Sequence, residues 1–377
     1  MRSSLRFAAP VFVAGLIGAG AAVPAVASGS QPVLAAQSPQ QLVSEILGAR
    51  PAAVSGSLEW APDLGLPSLG ELASGGQGIP SAGGIGLTGL LGSDQSLRLW
   101  ADGSDERVAI VQSLAEVDLL RRGSTVWVWD SSDQQVERYV LPSGAEPAQP
   151  PSASAPFDPQ SVAAAIVSHL ESAGTTLGVA ARPVYVAGVP CRVLELRPTD
   201  TTASTVSSVD LAVDARNGVV LQVVLRAAGQ ATPALSLGFT SVSFTSPPAS
   251  VFAVPAGSSV STRLGAPGSG QLTGAPGGSG WYAYAPLSGR SYPSGAGGSA
   301  PQVLGHGWSS VLGLSVPATS PSFAELSALG HQVSGSFGSG RLVRSSLLDL
   351  LVLPDGHLLV GFVPPAVLEA DAATLGG

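Results

Sequence analysis

Five short runs with the alternating polar and apolar pattern of half-buried β-strands follow one another between residues 95 and 141, and they constrain the fold most. Separators such as Asp102-Gly103-Ser104 and Arg122-Gly123 have the composition of tight turns. Strands joined by tight turns pair antiparallel, so the sequence predicts a meander. The runs are Gln95 to Ala101, Arg107 to Ser113, Glu116 to Leu120, Ser124 to Asp130 and Gln134 to Leu141.

A second set of strand-like runs follows a break rich in Pro, Ala and Ser at residues 142–156. The Asn217-Gly218 pair inside this set predicts a tight hairpin, because both residues accept the positive φ that such turns need. The runs are Leu177 to Val186, Cys191 to Arg197, Val206 to Val213, Val219 to Arg226 and Ala234 to Thr245.

A short amphipathic helix is predicted before each set of strands. The first spans Ser38 to Leu47, with a Ser N-cap followed by Pro and with Leu42, Ile46 and Leu47 on one face. The second follows the cap Asp158, and its apolar side carries Val162, Ile166, His169 and Leu170. After the first helix, Val54, Leu58 and Trp60 alternate with polar residues in a further strand pattern, with Gly56 the small member of the apolar face.

Chain length and charge limit the classes of protein that remain. At 377 residues the chain exceeds the roughly 250 to 300 at which a single core stops growing, so two folded units are expected. The formal net charge of −8 would repel a phosphate backbone, and nucleic acid is therefore not an expected partner. With 48 Gly and 31 Pro, much of the chain is expected to form turns and linkers.

The first 27 residues are typical of an export signal. Arg2 and Arg6 form a positive segment, an apolar run from Phe7 to Gly20 follows, and Ala25-Val26-Ala27 resembles a cleavage site. We expect an extracytoplasmic protein, in the cell envelope or secreted, cleaved near Ala27. The alternative is an uncleaved anchor, because the uncharged run from Phe7 to Val26 is just long enough to span a bilayer.

Three segments resemble the LolA-like family, which includes the lipoprotein carriers LolA and LolB and the periplasmic regulator RseB. They are the strand-turn-strand GSTVWVWDSSDQQVERYVL, the run VAGVPCRVLELRP, and the closing pattern in FTSVSFTSPPASVFAVPAGSSV. The resemblance covers about residues 38–260 and is strongest for exported actinobacterial proteins of this superfamily. It implies an α+β fold in which a curved antiparallel half-barrel is closed by helices over an apolar cavity.

The segments suggest four regions. Residues 1–27 form the signal peptide, and residues 28–257 the half-barrel domain with a Gly- and Leu-rich insert at 64–92 that we expect to cover an apolar surface. Residues 258–300 form a Gly/Ser/Pro-rich linker, and residues 301–377 a small C-terminal α+β module. Within that module we expect a strand from Gly307 to Val316, a helix from Ser320 through Leu329, and a hairpin of Arg341 to Leu353 with His357 to Val363.

Apolar residues at strand spacing are the candidates for lining the cavity. Aromatic residues in such positions also commonly pack against a helix as core, and the pattern leaves both interpretations open. The candidate ligand-binding residues are Leu58, Trp60, Leu99, Ile110, Leu119, Trp127, Trp129, Leu211, Val223, Leu237 and Phe239.

The residues that catalysis would need are sparse. The four histidines show no metal-ligand spacing, and we find no nucleophile elbow or phosphate-binding glycine loop. Cys191 is the only cysteine, and its place in a strand run indicates a small buried apolar residue. We therefore expect a non-enzymatic protein without cofactor or metal.

The expected function is carriage of lipids or acylated lipoproteins. The alternative is an RseB-like sensor with a membrane-bound, anti-sigma-type partner.

Overall fold

The computed structural model describes residues 34–65, 94–111, 115–131, 134–140, 158–168, 174–254, 259–264, 302–315, 323, 326–328 and 330–375. The expected export signal, the insert beyond residue 65, residues 265–300 of the linker and most of the helix expected at 320–329 lie outside these residues.

The first sheet contains thirteen strands among the described residues and is antiparallel except for one pair. Its order is β13-β6-β5-β4-β3-β2-β1-β12-β11-β10-β9-β7, with β8 also pairing with β9, so the described sheet is open. The strands are β1 Ala53–Pro62, β2 Gln95–Asp102, β3 Asp105–Val111, β4 Glu116–Arg122, β5 Thr125–Asp130, β6 Gln135–Val140, β7 Thr175–Val179, β8 Val184–Val186, β9 Val189–Pro198, β10 Val206–Asp214, β11 Val220–Ala227, β12 Leu235–Ser243 and β13 Ser259–Leu264.

The predicted meander is present as β2 to β6, and the Asn217-Gly218 hairpin joins β10 to β11. Two predictions for the first sheet needed correction. The run from Leu177 to Val186 forms two strands, β7 and β8, because Pro183 between them lacks the N–H that a continuous ladder requires. Residues at the start of the expected linker form β13, which pairs parallel to β6.

Two helices in the described part of the chain pack on the first sheet. Helix α1 spans Pro39–Gly48 and begins with a capping box in which Ser38 and Gln41 exchange hydrogen bonds. Helix α2 spans Pro159–Val167, where the Asp158 carboxylate accepts hydrogen bonds from the first backbone N–H groups. The Gln160 side chain links the layers, because it donates to the Ile46 carbonyl at 2.8 Å and accepts from the Val220 N–H at 2.8 Å.

The buried faces of both helices differ in part from the predictions. In α1, Leu42 and Ile46 are buried, but Leu47 is 41% exposed. In α2 the buried residues are Pro159, Ala163 and Val167, one turn apart, while Val162 and Ile166 are only partly buried. The small Ala163 side chain allows this face to approach β11 closely. His169 and Leu170 lie outside the described residues.

The second sheet contains six strands among the described residues, in the order β14-β15-β19-β18-β17-β16. They are β14 Gln302–Leu304, β15 Val311–Ser315, β16 His331–Gly335, β17 Gly338–Arg344, β18 Asp349–Val352 and β19 His357–Gly361. A third helix, α3 at Pro365–Leu375, packs on β18 and β19 and was not predicted.

The expected strand from Arg341 to Leu353 is instead two antiparallel strands, β17 and β18. The chain reverses because the Ser345 hydroxyl accepts hydrogen bonds from the N–H groups of Leu347 and Leu348. The hairpin of β18 with β19 across Pro354-Asp355-Gly356 is confirmed. A short 3₁₀ helix, Gly307–Ser309, occupies the start of the other expected strand.

Contacts of three kinds join the second sheet to the first. The Thr205 N–H donates to the Phe362 carbonyl at 2.9 Å, and the Ser346 N–H donates to the Leu64 carbonyl at 2.8 Å. The Trp308 indole N–H donates to the Thr175 hydroxyl at 2.9 Å. The Leu347 side chain is buried in an apolar cluster of the first sheet. No helix in the described part of the chain is long and apolar enough to cross a membrane.

Candidate functional site

One face of the first sheet is apolar from β5 to β9, and we call it the apolar face. Directly paired residues project to the same side of a sheet, so the strand registers identify its members. On one side of β1 the register places Leu99, Val108, Leu119 and Val128 in one row. On the other side it places Trp60, Leu237, Val223, Leu211 and Leu194 in another row.

All of the predicted ligand-binding candidates except Trp127 and Trp129 lie on this apolar face. Most belong to a buried cluster centred on β1 and its neighbours, with Leu119 partly buried at its margin. Leu211 and Val223 belong to the cluster that also contains Leu42 and Ile46 of α1. At these two positions the apolar face is therefore packed against the helix layer. The cluster centred on β1 contains Leu58, Trp60, Leu99, Ile110, Leu237 and Phe239.

Trp127 and Trp129 lie on the opposite face, which corrects the grouping of both with the other candidates. In β5 the buried residues Val126 and Val128 point to the apolar face, so the alternating tryptophans point away from it. Both pairs of residues are apolar, and the sequence pattern alone could not distinguish them. The Trp127 row on the opposite face continues through Leu120 and Arg107.

Beyond the helices, the apolar face ends in a cluster on β4 to β6, which we call the β4–β6 cluster. Its buried members are Val117, Val126, Val128 and Tyr139, with Leu119 packed against them. The Tyr139 hydroxyl donates a hydrogen bond to the Glu137 carboxylate, so the phenol points its polar end to the rim of the cluster. The arrangement is a buried apolar cluster with a polar border.

A charged network on the opposite face was not found by sequence reasoning. The Arg107 guanidinium donates to the Asp118 carboxylate at 2.5 Å, to Glu116 at 3.3 Å and to the Val251 carbonyl at 3.0 Å. Its carbon lies 5.4 Å from the centre of the Trp100 ring. The network fastens the 3₁₀ helix Ala249–Phe252 onto β3 and β4.

Asp118 is fully buried, and this burial changes its acidity. Burial raises the pKa of the Asp118 carboxyl from 3.8 to about 7, Arg107 opposes the rise, and nearby Glu116 adds to it. In the sequence, Arg107 and Asp118 lie on two neighbouring predicted strands. Their pairing could be recognised only once the register between those strands was known.

Cys191 is buried, as predicted, and burial raises the pKa of its thiol to about 12. A thiol with such a pKa is a poor nucleophile near neutral pH. Among the described residues, no group of three or more His, Cys, Asp and Glu side chains has a metal-binding arrangement.

Several solved structures are similar to this chain. A chain in the complex of Pseudomonas aeruginosa MucA/MucB is 14% identical, with a TM-score of 0.43 over 89% of this chain and 96% of that chain. A crystal structure of MucB is 14% identical, with a TM-score of 0.41 over 90% of this chain and 96% of that chain. A LolA superfamily protein from Nitrosomonas europaea is 12% identical, with a TM-score of 0.22 over 58% of this chain and 99% of that chain.

Similarity at this level does not transfer a ligand or a partner from one protein to another. No family model matches the chain, and no curated protein matches it in sequence.

Proposed function

We propose that the chain is an exported, non-enzymatic binding protein of the cell envelope that carries a lipid or the acyl chains of a lipoprotein on its apolar face. The observation that carries this proposal is the extension of the apolar face past α1 and α2 to the β4–β6 cluster. The members of that cluster are all residues of the sheet, and its core residues are between 5% and 8% exposed.

An acyl chain suits this surface on energetic grounds. Each buried CH₂ group contributes about 0.8 kcal/mol, so burial of roughly ten methylene groups along the apolar face would give micromolar binding without any charged contact. The polar border of the β4–β6 cluster is formed by the Tyr139 hydroxyl, which donates to the Glu137 carboxylate. The residues proposed to bind the chain include Leu58, Trp60, Leu99, Ile110 and Leu119, from which the apolar face continues to this cluster.

The test is uptake of a fluorescent fatty acid by delipidated protein, together with mass spectrometry of an organic extract of the purified protein. We expect micromolar uptake and a co-purified lipid. Val128→Thr keeps the side-chain shape but places a hydroxyl in the β4–β6 cluster, and it should weaken uptake at least about fivefold.

The matched control is Val136→Thr. Val136 is equally buried but lies on the opposite face, paired with Trp129, so this variant should bind fatty acid like the unmodified protein. Absence of both co-purified lipid and fatty-acid uptake would refute the carrier function. Equal weakening of fatty-acid uptake by the two variants would show that the binding site does not lie on the apolar face.

A second candidate function is that of an envelope sensor with a membrane-bound protein partner, and the edge of the second sheet favours it. Strand β16 is the last strand in the described order of that sheet, and its residues are exposed except for half-buried Val333. An edge strand offers free backbone groups to which a partner strand can add. Capture of a membrane protein that is lost on removal of residues 302–377, without fatty-acid uptake, would favour this function.

A further inference from the structure

A cavity of about 300 Å³ lies on the face opposite the apolar face, where β2, β1 and β12 run side by side. Its walls are the side chains of Arg98 and Trp100 from β2 and the backbone of Gly56 and Val242, together with a set of hydroxyl groups. The hydroxyl groups belong to Ser55, Ser57, Ser241 and Ser243.

Small residues and an irregular register create this cavity. The pairing of β1 with β12 shifts between Ser57 and Leu58, which is a β-bulge. The two strands approach so closely at Gly56 that a Cβ atom there would clash with the Ser241 carbonyl oxygen. Short serine side chains on both strands leave a recess beside the larger side chains of Arg98 and Trp100.

Arg98 is available for a ligand. Its side chain is exposed, and among the described residues it makes no hydrogen bond or ion pair. The register places Arg98 opposite Ser57 and Trp100 opposite Ser55, so the guanidinium group lies beside a hydroxyl group. Glu59 lies on the same face as Ser57, two residues further along β1 and opposite Ser96. It does not line the cavity.

The serine hydroxyls of β12 are set to donate outward. The Ser241 hydroxyl oxygen accepts from the Ser57 N–H at 3.1 Å, and that of Ser243 accepts from the Thr245 N–H at 3.3 Å. Each oxygen already accepts a backbone hydrogen, so its own proton is free for an acceptor in the cavity. The cavity thus presents one positive charge and several hydroxyl donors, the groups that bind an oxyanion.

We propose that this cavity binds a phosphate group carried on a small polyol, either as a soluble phosphate ester or as a phospholipid head group. The Arg98 guanidinium forms the paired hydrogen bonds that suit phosphate, and the serine hydroxyls complete its coordination. The Trp100 ring, stacked by Arg107 at 5.4 Å, supplies a flat apolar wall for the polyol. The site goes beyond the proposed function, because it lies on the other face of the sheet.

One guanidinium group at an exposed site sets the expected strength of binding. Hydrogen bonds to a charged group are stronger than neutral ones, but only a few can form here, so we expect a dissociation constant of about 1 mM. The acidic net charge of the chain, −8, works against tighter binding of an anion.

Glycerol 3-phosphate, titrated into the full-length protein and followed by amide chemical shifts, tests the site. We expect saturable shifts around Ser57, Trp100 and Ser241 with a millimolar dissociation constant, and no such shifts with glycerol. Arg98→Gln should weaken binding about tenfold or more, whereas Arg98→Lys should retain part of it. The control Arg182→Gln, an exposed arginine in the loop before β8, should bind like the unmodified protein.

Sedimentation with phosphatidylglycerol vesicles distinguishes the two sources of phosphate. Co-sedimentation that Arg98→Gln abolishes identifies a lipid head group, and titration by glycerol 3-phosphate alone identifies a soluble ester. Binding of neither probe, or equal binding by Arg98→Gln, would overturn the proposal. Fatty-acid uptake by Arg98→Gln is measured in parallel and should be unchanged, so failure here is distinct from failure of the carrier function.

Discussion

Asp118 is the residue where burial and charge oppose each other most directly. Its side chain is fully buried and pairs with Arg107, whose side chain is 17% exposed. Removing a carboxylate from water costs several kcal/mol, which the nearby guanidinium offsets only in part. The net result is a pKa raised to about 7. This raised pKa makes the free energy of unfolding depend on pH.

The first prediction concerns this pH dependence. Below about pH 4 Asp118 is protonated in both folded and unfolded states, and as the pH rises towards 7 the unfolded state loses its proton first. The stability linked to the raised pKa is therefore present at low pH and is lost as the pH rises through about 7. The slope is at most about 1.4 kcal/mol per pH unit.

The Asp118→Asn variant lacks this ionisation, so the stability of the unmodified protein relative to it should fall between about pH 4 and pH 7. Urea unfolding across that range measures the difference. Asp105→Asn is the control, because Asp105 pairs at 3.4 Å with the exposed Arg122 at the surface. Parallel pH profiles for the unmodified protein and Asp118→Asn would contradict the prediction.

Among the secondary-structure elements, the hairpin between β10 and β11 shows how a turn residue can serve packing as well as geometry. Gly218 has a φ of +73°, whereas Asn217 does not adopt the positive φ that the predicted two-residue turn requires. It also lies against α1, since a Cβ atom there would be 2.9 Å from the Glu45 carbonyl oxygen. The dipeptide predicted the turn, but nothing in it indicated the neighbouring helix.

The second prediction separates these two roles. Gly123, in the turn between β4 and β5, has a φ of +57° and no atom within 4 Å of the added Cβ position. Gly123→Ala should therefore cost only the left-handed backbone penalty of about 1 to 2 kcal/mol. Gly218→Ala should cost at least about 1 kcal/mol more, because α1 must shift. Equal losses in urea unfolding would show that the hairpin does not press against α1.

Most strands, and the first residues of helices α1 and α2, could be predicted from the sequence. The alternation of polar and apolar residues, the helix caps and the turn residues are all local signals. The failures have local physical causes too. Ser345 reverses the chain through hydrogen bonds of its own hydroxyl, just before the nearly apolar run from Leu347 to Leu353. Strand β13 depends on a distant partner, β6, so its own sequence contains no sign of the pairing.

In the whole molecule, the C-terminal sheet is held to the first sheet by a small number of specific contacts. Leu347 lies in the turn between β17 and β18, yet its side chain packs with Leu42 and Ile46 of α1 in the same cluster. Backbone hydrogen bonds from Thr205 and Ser346 flank it. A module of about 75 residues has a marginal core by itself, so this contact should contribute to its stability.

The third prediction compares neighbouring leucines in that turn. Leu347→Ala removes a fully buried side chain and should lower the free energy of unfolding by about 2 to 5 kcal/mol. Leu348→Ala changes the same atoms at a half-buried position outside the described apolar clusters and should cost less than about 1 kcal/mol.

Hydrogen exchange at the Thr205 amide, which donates to Phe362, reports the docking directly. Faster exchange in Leu347→Ala than in Leu348→Ala is expected. The same exchange rate and the same unfolding midpoint in both variants would show that Leu347 does not hold the sheets together.

By itself the sequence determined the predominance of antiparallel strands, the order of the meander, the helix caps, the hairpin at Asn217-Gly218 and the burial of Cys191. These depend on interactions within a few residues or on hydrophobic alternation along one strand. Only the tertiary structure decided that Val126 and Val128, rather than Trp127 and Trp129, join the apolar face. It also brought together Arg107 with Asp118, and Arg98 with the serines of β12. The physical reason is that register between strands assigns side chains to a face and to neighbours, and that register is set by the packing of the whole sheet.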